Sequence, residues 1–206
     1  MADLQGRFAD ALELAEIGEV ARLEAAPRSR TRAGLYPARL EALYEMSYLR
    51  VFVSWEAFLE QVFIRYLCGY SSAHGIATPG AGLGFLPTLT LAEQAVLGSH
   101  AYVLWHNPNR IVDRCRKFFS LCTVEAVVLS NKARLENFAA IRHRITHAQA
   151  DARAKFNHAT MSLSGKRYHG ARPGSFLRDW DASASPPARW LERLTHEFSG
   201  MAMQVV

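Results

Sequence analysis

The chain has 206 residues, half of them hydrophobic, which is enough to bury a sizeable core and fits one domain, or one domain with helical additions. Its 13 glycines and 8 prolines cluster at a few places, which excludes sustained disorder. A formal charge of +5 and a pI near 9.3 suit an anionic partner such as RNA, DNA or a nucleotide, but a charge of this size does not establish one.

From Asp3 to about Ala25, Phe8, Ala11, Leu12, Ala15 and Val20 recur between charges and predict an amphipathic helix with those residues inward. The same stretch carries acids and lacks a basic segment ahead of an apolar run, so no secretory signal is expected. Residues 25–34 form a polar, basic connection. Pro37, whose missing N–H costs nothing in a first turn, opens a second helix predicted to reach about Tyr70, roughly 50 Å long. Arg50, Ser54, Gln61 and Arg65 share one stripe of it, whereas Glu56 and Glu60 lie away from that stripe. Glu56 has Phe52, Val53 and Leu59 as helical neighbours, which places its carboxylate at an interface or in a polar pocket. These charges interrupt the most apolar stretch of the chain, so no membrane span is expected.

Residues 71–87 read as a long loop whose glycines match neither a P-loop nor GxGxxG. Thr90 to Glu93 has capping-box spacing and predicts a third helix, broken by His106-Asn107-Pro108-Asn109. A further helix follows with Ile111, Cys115, Phe118, Phe119 and Cys122 inward. Cys68, Cys115 and Cys122 show no metal-ligand spacing, and an odd count points to reduced thiols and a cytoplasmic protein, with Cys68 and Cys115 as core fillers. Ser130 or Asn131 caps a late helix predicted to reach about Asn157, with Leu135, Phe138, Ile141, Ile145 and Ala148 buried. Residues 162–176 read as an irregular loop or short hairpin. A final helix runs from Ala188 to about Met203, with Trp190, Leu191, Leu194 and Phe198 inward. The predicted fold is all-α: a single domain with a helical core over about 37–160, an N-terminal helix, and a C-terminal loop and helix over 161–206.

The late helix carries Arg142-His143-Arg144-Ile145-Thr146-His147. Here the sequence resembles the HEPN superfamily, whose ribonuclease members carry Arg, a polar residue, three residues and then His near the end of a late helix. Arg142, His143 and His147 match that pattern. Ser54-Trp55-Glu56-Ala57-Phe58 is similar to an early HEPN helix with an acidic residue before small and aromatic ones. Gly174-Ser175-Phe176-Leu177-Arg178 and Pro187 to Leu191 resemble the tail of a bacterial subgroup, RiboL-PSP-HEPN. The core resemblance covers about Glu41 to Ala150. It implies a HEPN-like bundle and a metal-independent endoribonuclease that works as a homodimer, without a cofactor, in toxin or defence settings. An antitoxin or a nucleotidyltransferase is the partner it suggests.

The residue types suit that chemistry. Cleavage through the 2′-OH requires removal of a proton, stabilisation of charge on phosphorus and protonation of the leaving oxygen. Histidine supplies the acid–base steps near neutral pH, and arginine forks onto phosphate oxygens. His147 is assigned as general base or acid, Arg142 as phosphate clamp, and His143 as a positioning group with a share in proton transfer. Glu56 is expected to orient Arg142 or a histidine. Arg142 and His147 stand about 140° apart on a regular helix, so a site shared by two antiparallel copies is expected. Between 142 and 178, Arg142, Arg144, Arg153, Lys155, Lys166, Arg167, Arg172 and Arg178 are set against Asp151 as the one acid. Arg144, Lys166, Arg167 and Tyr168 are the expected RNA contacts.

Plainer readings stand beside these. The Arg142–His147 turn reads equally as a solvated helix face, Glu56 as an interface carboxylate, and the basic excess as loop surface. His143 and His147 are spaced to share a metal, but no third ligand or HExxH glutamate accompanies them, so no metal site is expected. A non-catalytic RNA- or nucleotide-binding module, or a helical dimer in which 142–147 only packs, are the alternative functions.

Overall fold

Alternating charged and apolar residues at helical spacing form α1, Ala2–Glu24, whose buried face is Leu4, Phe8, Ala11, Ala15 and Gly18. Val20, expected inward, is 42% exposed, because Gly18 rather than a residue five positions past Ala15 continues the inward stripe. A Cβ at Gly18 would press on Leu40 and Leu43, so this glycine sets how closely α1 approaches the next long helix. The structure is a computed structural model that describes residues 1–98 and 103–206. It is 70% helix and 5% strand, which makes the chain an all-α bundle in class. Among the described residues, no helix is long and apolar enough to cross a membrane.

The basic connection after α1 contains a one-turn helix, α2 (Arg30–Gly34), capped by Ser29, whose side chain accepts from Arg32 N–H. Helix α3 runs Pro37–Leu67 as predicted from its opening proline. The loop after it holds a short strand, β1 (Ala77–Pro79). Helix α4, Leu89–Leu97, is capped by Thr88, two residues before the predicted box, because Thr88 is the residue in extended conformation whose hydroxyl accepts from Leu91 N–H. The helix ends at Gly98; the expected continuation through 99–102 lies outside the described residues. His106-Asn107-Pro108-Asn109 opens a helix rather than breaking one. Asn107 accepts from Asn109 and Arg110 N–H, and Pro108 takes the first turn of α5 (Pro108–Phe118).

The inward face predicted through Cys122 is helical only to Phe118. Phe119–Cys122 is strand β2, paired antiparallel with β1. Thr123 fixes that turn, donating its N–H to Ile76 O at 3.0 Å and accepting Ile76 N–H on its hydroxyl at 2.9 Å. Helix α6 (Thr123–Ser130) and helix α7 (Lys132–Thr146) follow. The long late helix is therefore two helices, with α8 (Ala150–Ser164) starting after a break at 147–149. Gly165 ends α8 in the left-handed region, at φ +68°, which favours glycine. The expected loop at 162–176 is instead the end of α8, a 3-10 turn at His169–Ala171, and most of α9 (Pro173–Arg178). The hairpin falls later, as β3 (Trp180–Asp181) against β4 (Ala188–Arg189). Helix α10, Trp190–Val205, buries Trp190, Leu191, Leu194 and Phe198 as expected.

The chain divides into two compact units. One contains residues 2–54 and 137–197. In it Phe176 packs at 5.2 Å on Trp190 and at 5.3 Å on Tyr168, and Tyr48 donates its hydroxyl to Phe138 O at 2.9 Å. The other contains residues 55–136 and 198–206, with Met1. There Phe63 is ringed by Trp105, Phe118 and Phe119, and Trp55 packs 5.3 Å from Phe198. Cys115 and Cys122 are buried in this second unit, whereas Cys68 is only half-buried, because it lies just past the end of α3; all three thiols are free.

Candidate active site

The last turn of α7 brings the motif together. His147 N–H donates to His143 O at 2.9 Å, so the helical path continues one residue past Thr146. The two imidazole rings consequently pack with centroids 4.5 Å apart. Thr146 donates its hydroxyl back to Arg142 O and His143 O, both at 3.2 Å. Arg144 donates Nη1 to His147 O at 3.0 Å and Nε to Ala171 O at 3.1 Å. Its guanidinium therefore closes the end of the helix, where carbonyls lack partners and a cation is favoured. Arg144, expected on RNA, is engaged with the fold itself.

Arg142 is half-buried, and its Nε is buried with no hydrogen-bond partner among the described residues. His143, also half-buried, is held below the usual imidazole range. Burial contributes most, followed by the charges of His147 and Lys155, with Asp151 opposing them. His147 is exposed. Asp151 is itself bound by Lys155, its neighbour one turn on in α8, at 2.8 Å. This acid in the first turn of α8, four residues before Lys155, is the one sequence signal that marks the helix start.

Beside His147 opens a cleft of about 430 Å³. One wall is α3, which presents Glu41 and Glu45; the other holds Arg144, His147 and Arg172, with Ile145, Thr146 and small residues including Ala42 and Pro173 between them. Arg172 Nη2 lies 3.3 Å from Glu41 Oε1, and Gly174 donates its N–H to Glu45 Oε1 at 2.9 Å. Gly174 is required by proximity, since a Cβ there would collide with the backbone of Glu41. Burial, assisted by the neighbouring Glu41, pushes the Glu45 carboxyl above its ordinary range, against the opposing Gly174 N–H, Arg144 and Arg172. Sequence reasoning missed Glu41 and Glu45. The available signal was two acids four apart on a helix whose adjoining positions Leu40, Tyr44 and Tyr48 are core.

The remaining expected residues lie in other settings. Glu56 belongs to the unit that holds residues 55–136, where its Oε1 lies 3.2 Å from His106 Nδ1. Its side chain is 18% exposed, which fits the polar-pocket reading, with His106 as a partner the sequence did not suggest. Lys166 Nζ lies 3.2 Å from Asp179 Oδ2, and Tyr168 donates its hydroxyl to the same oxygen at 2.8 Å. With its ring against Phe176, Tyr168 fastens the segment after α8 and is not an open stacking surface. Asp179 lies one residue past the basic run, so the sequence count stopped just short of the acid that engages Lys166 and Tyr168. Arg167 is exposed. Among the described residues, no three His, Cys, Asp or Glu side chains converge on a common metal position. No family model matches the chain, and no curated protein or solved structure matches it.

Proposed function

We propose that the last turn of α7 is the catalytic element of a HEPN-type, metal-independent endoribonuclease that acts as a homodimer in the cytoplasm. The observation that carries this reading is the buried, unpartnered Nε of Arg142 at the end of the helix that also carries the packed His143–His147 pair. An unsatisfied buried donor costs about 1–3 kcal/mol, and more when it is charged, so evolution seldom leaves one without use. A phosphodiester oxygen supplies the missing acceptor.

The two histidines differ in environment, and that difference assigns roles. His143, half-buried and held below its ordinary imidazole range by burial and by cationic neighbours, takes the proton from the 2′-OH. The 2′-oxygen then bonds to phosphorus while the bond from phosphorus to the 5′-oxygen breaks. His147, exposed to solvent, delivers a proton to that leaving oxygen. Arg142 stabilises the charge that accumulates on the phosphoryl oxygens. The products are a 2′,3′-cyclic phosphate and a 5′-hydroxyl. Arg142 and His147 point about 140° apart around α7, which is why a second copy is needed to complete each site. The toxin or defence role, with an antitoxin or nucleotidyltransferase as partner, belongs to the same reading.

The test is incubation of purified wild type and His147→Ala with total RNA in EDTA. The variant is expected to lose cleavage by about 10²- to 10⁴-fold. Strict dependence on added metal would sink the mechanism. RNA binding without cleavage, unchanged in His147→Ala, would move the assignment to a non-catalytic binding module. Mixing the inactive Arg142→Ala and His147→Ala chains should restore cleavage if the site is shared across a dimer.

A further inference from the structure

The cleft beside His147 has a feature the cleavage chemistry does not use: a carboxylate half-committed to the protein. Glu45 accepts Gly174 N–H on Oε1, and no protein donor among the described residues meets its second oxygen. Glu41 is already engaged by Arg172, and Arg144 is held by two carbonyls. Among the described residues, Glu41 in this cleft is paired with a cation, whereas Glu45 meets only a neutral N–H. Alanines, Ile145 and Pro173 alternate around the cleft with charged and polar groups, so it offers apolar patches beside its carboxylates. Its volume of about 430 Å³ lies within the range of small-molecule sites, about 300–1,000 Å³.

We infer that this cleft seats a nucleobase carrying an exocyclic amino group, next to the phosphate handled by His147, with Glu45 accepting a hydrogen bond from that amino group. The inference rests on the ribonuclease reading for the adjoining phosphate. Adenine, cytosine and guanine each present an amino donor. Uracil has only an imide N–H flanked by two carbonyls, whose lone pairs would face the carboxylate. The base lies against the exposed Ala38 and Ala42 of α3, and its phosphate extends toward His147 at the mouth. The site thereby selects against uridine at one side of the scissile bond.

The experiment is calorimetric titration of the full chain with CMP and UMP, which differ little in shape, followed by AMP and GMP. None of these has a phosphodiester to cleave, so binding is read apart from catalysis. CMP is expected to bind about tenfold more tightly than UMP, the usual size of one hydrogen bond to a charged acceptor. Glu45→Leu should abolish that ratio. Ala42→Leu, which extends a side chain into the cleft from an exposed helical position, should weaken all four nucleotides and guards against a folding defect in the first variant. Equal binding of CMP and UMP, or a preference that survives both substitutions, would overturn the inference. Failure of the ribonuclease reading looks different: selective nucleotide binding persists while total RNA stays intact. Cleavage of RNA with no bias against uridine would instead retain the nuclease and remove the base site.

Discussion

Arg178 and Arg142 are both half-buried in the same unit, and their surroundings are opposite. Arg178 forks onto Glu19, with Nε to Oε1 at 2.6 Å and Nη2 to Oε2 at 3.1 Å. Arg189 lies 3.6 Å from the same carboxylate and donates Nη1 to Arg178 O at 2.5 Å, while its guanidinium covers the ring of Trp180. Burial raises the Glu19 carboxyl, but the two arginines outweigh it and hold the group below its ordinary range. Among the described residues, no acceptor meets the buried Nε of Arg142, and the nearby charges acting on His143 are mostly cationic. A guanidinium whose donors are satisfied holds α1 to α9. One whose Nε is left open is the group that the proposed function assigns to a phosphate oxygen.

The largest effect expected from this contrast is on activity. Arg142→Met should lower RNA cleavage by about 10²- to 10³-fold, as loss of one donor to a developing oxyanion does. Arg178→Met, assayed in parallel, should act only through stability, with cleavage at low temperature within a few-fold of wild type. Next in size is the stability of Arg178→Met itself, which removes the forked partner of Glu19, leaves Arg189 beside it, and should cost about 2 kcal/mol in urea unfolding. A loss below about 1 kcal/mol would mean that the Glu19 cluster is not the anchor its geometry describes. Its pH signature has a definite sign. The folded carboxyl is depressed, so its contribution is present above the unfolded value of 4.5 and is lost as pH falls through the folded value. The wild type should therefore lose melting temperature more steeply in acid than Arg178→Met.

A smaller effect of opposite direction is expected at the other arginine. Arg142→Met replaces an unsatisfied buried donor with an apolar side chain and should stabilise the fold by about 1 kcal/mol. Destabilisation there would show that Arg142 has a structural partner after all and would erase the contrast. The smallest effect concerns His143. Lys155→Gln removes one of the cationic charges that lower it and frees Asp151, which raises it. The histidine titration, followed by NMR, should move up toward its ordinary value of 6.5, and the acidic limb of the cleavage profile should move with it. A profile that stays in place while the NMR titration moves would take His143 out of the base role.

Much of the helical frame was legible because it is written at short range. The Pro37 start of α3, the inward stripe of Trp190, Leu191, Leu194 and Phe198, and the assembly of Arg142, His143 and His147 on one late helix all depend on residues within a few positions of each other. The errors share a different cause. Thr88 and Thr90 are both competent caps, and only the path of the preceding chain selects the first. Phe119 to Cys122 fit a helical face, yet they extend because β1, Ala77–Pro79, lies alongside to pair with them. Nothing between Thr146 and Ala150 is a proline or glycine, so the periodicity carried the predicted helix through a break that Arg144 stabilises by binding His147 O and Ala171 O.

By itself, then, the sequence determined helix identity, the apolar faces and the clustering of two histidines and an arginine, since each follows from the 3.6-residue repeat. The tertiary structure decided which charged groups are occupied and which are open. Glu45 meets Gly174 across 129 residues, Arg178 meets Glu19 across 159, and Glu56 meets His106 across 50. Lys166 and Tyr168, expected RNA contacts, both meet Asp179, an acid just past the basic run. Periodicity shows which way a side chain faces, but a charged group's availability depends on whichever distant segment the fold brings against it.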